Sequence, residues 1–119
     1  MILETIFETE TGAACVIDFM SHRDGVSDLV RIVRGRSGTV AMQTELIVRL
    51  EYGSVVPWVS RKEDGRLEFT AGPDRLLLDA TVPLRGVDFR TVGEFNVTDT
   101  PFDMGLRHAA VILARLKFR

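Results

Sequence analysis

Apolar and polar residues alternate with a period of two along much of the chain, most clearly from Val40 to Tyr52. There Val40, Met42, Leu46, Val48, Leu50 and Tyr52 share one face, interrupted only by Thr44. Ala41, Gln43, Glu45, Ile47, Arg49 and Glu51 share the other. A strand with one side in a core and the other in water has this pattern. Phe89, Thr91, Gly93, Phe95 and Val97 alternate in the same way against Asp88, Arg90, Glu94 and Asn96, and Leu67, Phe69 and Ala71 against Arg66, Glu68 and Thr70. Val40, Met42, Leu46, Val48, Leu50, Phe89 and Phe95 are therefore expected in the core. Five further runs, Ile2 to Glu8, Ala13 to Met20, Leu29 to Arg34, Val55 to Ser60 and Arg75 to Val82, are apolar on both faces, as strands lying between layers are.

Turn chemistry separates these runs: Thr11-Gly12, Asp24-Gly25, Ser37-Gly38, Asp64-Gly65, Gly72-Pro73-Asp74 and Arg85-Gly86. Glycine supplies the positive φ of tight hairpins, and Asp-Gly is a strong hairpin signal. About eight strands joined by short turns predict an all-β fold, an antiparallel β-sandwich over residues 1–100. Residues 101–119 read differently. Leu106, Ala109, Ala110, Leu113 and Leu116 fall at helical spacing, which predicts a C-terminal helix; a buried strand through Val111-Ile112-Leu113 is the rival.

The chain's 119 residues suit one domain with its own core. Net charge is −2, with four cations and no acid after Asp103: Arg107, Arg115, Lys117 and Arg119. That balance argues against nucleic acid, which calls for a clustered basic surface. No apolar run reaches the ~18 residues of a spanning helix, so no membrane segment is expected. A single cysteine, Cys15, excludes an internal disulfide, and with no charged-then-apolar leader after Met1 the expected compartment is the cytoplasm.

Candidate chemistry is sparse. Glycosidases need two carboxyl groups about 5–9.5 Å apart. Glu45 and Glu51 lie on one strand face but are separated by roughly 20 Å at ~3.4 Å per residue, and Glu4 and Glu8 by about 14 Å. These acids read as a solvated sheet face, and no catalytic residue is assigned. His22 and His108 have no partner at zinc spacing, and Asp18, Asp24 and Asp28 lack the order of a calcium loop, so neither metal nor cofactor is expected. Cys15 reads as a buried, inert thiol. Asn96-Val97-Thr98 matches a glycosylation acceptor by chance. Tyr52, Trp58 and Phe69 could make a stacking platform for a sugar, but Tyr52 and Phe69 fall on core faces, which leaves Trp58 as the carbohydrate-binding candidate.

The order of short segments resembles the amino-terminal domain of bacterial glycoside hydrolase family 15 proteins, the glucoamylase and trehalase-like group. The resemblance rests on Leu3-Glu4-Thr5, Val16-Ile17-Asp18-Phe19-Met20 with Arg23-Asp24-Gly25, and Leu29-Val30-Arg31-Ile32-Val33 with Gly35. It continues through Tyr52-Gly53, Pro57-Trp58-Val59, Ala71-Gly72-Pro73-Asp74, Val82-Pro83-Leu84-Arg85-Gly86 and Glu94-Phe95. In that family the domain is a large β-sandwich (a supersandwich) ahead of a helical barrel that carries the paired catalytic glutamates. The resemblance implies a truncated sandwich of this kind, a non-catalytic module, with no family active-site residue on any position of this chain. Family members have further strands before the Leu3-Glu4-Thr5 segment and continue differently after Val97. A helical-barrel hydrolase domain or a carbohydrate is then the implied partner. The competing expectation is a free-standing binding or assembly protein acting through a sheet face or the basic tail. Apolar residues on both faces of Ile2 to Glu8 further predict self-association as a homodimer.

Overall fold

The computed structural model describes residues 2–23, 25–49, 56–72, 74–99 and 109–117. Among them are nine strands: β1 (Ile2–Thr9), β2 (Gly12–Arg23), β3 (Val26–Leu46), β4 (Trp58–Arg61), β5 (Leu67–Ala71), β6 (Asp74–Ala80), β7 (Arg85–Val87), β8 (Arg90–Thr98) and β9 (Ala109–Lys117). All pairings are antiparallel. The order is β1-β2-β3-β9-β6-β5-β4, with β8 added to β3 and β7 to β8. The expected all-β, antiparallel architecture is present.

β3 makes two layers out of this ladder. Its first part, Val26 to Arg34, lies between β2 and β9, and its last part, Thr39 to Leu46, pairs with β8. A hairpin turn was expected at Ser37-Gly38, yet the strand runs through. Ala14 pairs with Gly35 and Ala13 with Ser37, which leaves Arg36 as the extra residue of a bulge. A bulge bends its strand and increases the twist. Gly38 follows at φ 59°, a conformation glycine adopts without steric cost. The glycines therefore bend the chain from one layer to the other instead of reversing it.

The core fills the space between the layers. Ala14 and Val16 of β2, Val33 of β3 and Ala110 of β9 meet Val40 of β3, Val97 of β8 and Val82. A second cluster joins Leu67 and Phe69 of β5, Leu76 and Leu78 of β6 and Ala114 of β9 to Val48. Of the residues expected inside, Val40 and Val48 are buried and Met42, Leu46 and Phe95 half-buried, while Leu50 lies outside the described residues. Phe89 corrects the expectation, being 78% exposed. β8 begins only at Arg90, and Asp88 (φ 48°) and Phe89 (φ 61°) form the two-residue turn before it.

The C-terminal helix is also corrected over residues 109–117. They form β9, hydrogen-bonded to β3 on one side and to β6 on the other. Without β9, Val26 to Arg34 of β3 and Arg75 to Ala80 of β6 would each present a row of unpaired N–H and C=O groups. Saturating two edges outweighs the modest helix preference of alanine and leucine. Residues 101–108, including Leu106, Arg107 and His108, lie outside the described residues, as do Tyr52 and Arg119.

Candidate functional site

Asp18 and Arg31 face each other across β2 and β3. The alternation that points Val16 and Val33 into the core points this pair the same way, toward the second layer. The Arg31 Nε donates to Asp18 Oδ1 at 2.7 Å and Nη2 to Oδ2 at 3.0 Å. Such a two-pronged pair is strong and geometrically specific. The hydrogen bond donated to Asp18 is the main reason the guanidinium holds its proton above the ordinary arginine value, with partial burial opposing it.

Clefts flank this pair, and both are lined by Asp18, Arg31, Thr44 and Ile112. One of about 290 Å³ is also lined by Leu29, Leu46, Leu78 and Leu84. Another of about 240 Å³ adds Thr5, Phe7, Met42 and Phe95. Glu45 borders the first cleft and accepts a hydrogen bond from Arg90 at 3.2 Å. The two carboxylates that approach this cleft are therefore each held by an arginine. The local charge cancels, so the cleft suits a neutral ligand with hydroxyl groups over an apolar body better than an ion.

The other sequence candidates are dispersed. Trp58 is 84% exposed on the terminal strand β4, opposite Thr70, while Phe69 is buried on the inner face of β5. The structure does not bring them together, and Tyr52 lies outside the described residues. His22 Nδ1 lies 2.7 Å from Ser27 Oγ. Asp28 pairs with Arg115 at 2.8 Å, so the one C-terminal cation whose side chain is described is neutralised within the sheet. Among the described residues no group of three or more His, Cys, Asp or Glu could hold a metal ion. No described helix is long and apolar enough to cross a membrane.

Cys15 is buried on the outer face of β2, its Sγ donating to Glu4 Oε1 at 3.2 Å. Burial, then the Glu4 hydrogen bond and charge, push the thiol pKa up from 9.0, against the opposing pull of Arg36 and Arg34. Iodoacetamide at pH 7.5 is expected to label Cys15 at least tenfold more slowly than the same residue in the urea-unfolded chain. Equal rates would contradict that environment. A raised pKa also fixes the sign of the pH effect. The stabilisation is complete below the unfolded thiol's pKa and is lost as pH rises through the folded one.

The Asp18–Arg31 pair was not singled out from sequence, although a signal existed. Asp24-Gly25 marks a hairpin, and counting outward from Arg23 opposite Val26 brings Asp18 opposite Arg31. Comparison with protein-family models, with curated proteins and with solved structures gives no match.

Proposed function

We propose that the chain is a non-catalytic β-sandwich module related to the amino-terminal domain of glucoamylase- and trehalase-like glycoside hydrolases. The observation that carries the non-catalytic part is that Asp18 and Glu45, the carboxylates bordering the interlayer cleft, are each bound to an arginine. The antiparallel all-β architecture and the order of the resembling segments support the relationship. The chain is expected to release no sugar from maltose, trehalose or starch above a blank. Release that disappears in Asp18→Asn or Glu45→Gln would overturn the reading.

A second reading, a binding or assembly protein, is favoured by the outer face of β2, β3, β9 and β6. There the register aligns Ile17 with Ile32 and Phe19 with Val30 across β2 and β3, and Ile32 with Val111 and Val30 with Leu113 across β3 and β9. A row this apolar on the side away from the core is what an interacting surface requires.

A further inference from the structure

Among the described residues β1 ends the sheet on one side, pairing only with β2. Its closing pair, Thr9 with Gly12, spans a two-residue turn. The closing pair of such a hairpin exchanges its backbone N–H and C=O groups, and hydrogen-bonded pairs then alternate along the ladder. Thr9, Phe7, Thr5 and Leu3 therefore turn their backbone groups toward β2. Ile2, Glu4, Ile6 and Glu8 turn theirs away, along the open edge. Natural edges are blunted by charged side chains, proline, bulges or short length. This one runs eight residues without proline or bulge, its only charges are Glu4 and Glu8, and Ile2, Leu3, Ile6 and Phe7 are exposed on it.

We propose that this edge binds a second copy of the chain, β1 against β1, antiparallel about a twofold axis at Thr5. Only even-numbered residues carry outward backbone groups, so only registers that pair even with even form hydrogen bonds. With Thr5 opposite Thr5 of the other copy, Ile2 faces Glu8 and Glu4 faces Ile6, and about eight interchain hydrogen bonds form. The neighbouring registers place Glu4 against Glu4, or Glu4 against Glu8. Like charges directly opposite are destabilising, so the charge pattern selects one register of its own complement. On the inner face that register sets Leu3 against Phe7 in the closer, non-hydrogen-bonded type of pair and covers both. It also makes a closed pair with no further edge for growth at that side. Glu4 of one copy remains a diagonal neighbour of both Glu4 and Glu8 of the other, about 7–8 Å apart, so screening by salt tightens the dimer.

The test is sedimentation of the full chain over a wide concentration range, with variants that separate edge from fold. Wild type is expected to dimerise, more tightly at high salt. Ile6→Pro removes an N–H that points away from β2, so it leaves the β1–β2 ladder intact and weakens the dimer at least tenfold. With Cys15→Ala as background, Thr5→Cys is expected to cross-link between copies under mild oxidation at least tenfold faster than Ile6→Cys. The two position-5 Cα atoms lie about 4.5 Å apart and the two position-6 atoms beyond disulfide reach. A monomer up to about 200 µM, a dimer that survives Ile6→Pro, or equal cross-linking at positions 5 and 6 would each overturn the proposal. Should circular dichroism show Ile6→Pro unfolded, the cysteine pair decides alone.

Discussion

Gly35→Ala is expected to destabilise the chain by about 3 kcal/mol. A Cβ at Gly35 would lie within contact distance of the Thr98 backbone carbonyl and 2.8 Å from its nitrogen. All of these are main-chain atoms, so no rotamer change can make room. Thr98 is the end of β8, held in register opposite Thr39 of β3, and the bulge at Arg36 brings it over Gly35. The methyl group would have to push one layer off the other at the point where β3 crosses between them. Gly25→Ala is the comparison that isolates the cause. Gly25 has φ 77° but no atom within 4 Å of its would-be Cβ, so only the left-handed backbone cost of about 1–2 kcal/mol applies. Urea unfolding of both variants checks the difference. Equal losses would mean that the close approach of Thr98 does not constrain the fold.

Elements with one clean alternation were legible from sequence, and those whose character depends on neighbours were not. β8 and the second part of β3 carry charge on one face only: Arg85 pairs with Glu94 and Arg90 with Glu45 on the solvent side, as alternation required. β9 is apolar on both faces because it lies inside the sheet, and such a run satisfies a helical period as readily as a strand period. Ser37-Gly38 and Asp88-Phe89 failed in opposite directions. The first carries a glycine and bends a strand without ending it. The second carries no glycine and yet makes a tight turn with two positive φ values. Residue type predicts which conformations are cheap at a position, whereas the partner strands decide whether the chain reverses there. The interlayer cleft was illegible for the same reason. Its Asp18–Arg31 pair belongs to a local hairpin, but Thr44 comes from the last part of β3, beyond the bulge, and Ile112 from β9.

Leu78→Ala is expected to cost about 2–5 kcal/mol, which in a domain of this size lowers the melting temperature by about 10 °C or more. Leu78 is 2% exposed and among the largest fully buried side chains. On β6 it stands opposite Leu67 of β5 and Ala114 of β9, so its loss opens a gap shared by three strands. Neighbouring strands fixed by their ladders on both sides have little freedom to close that gap. One wall of the site borders the interlayer cleft, so the space created joins the cleft and stays unfilled by side chains. Leu77→Ala removes the same atoms one position away, on the outer face, where the side chain is only half-buried beside Arg115 and Glu68. Its loss is expected to cost about 1 kcal/mol, in proportion to the smaller area withdrawn from water. Thermal and urea unfolding of the two variants therefore report which face of β6 carries the stability. A loss at Leu77 equal to that at Leu78 would place the stabilising contact on the outer face, against the assignment of the core between the layers.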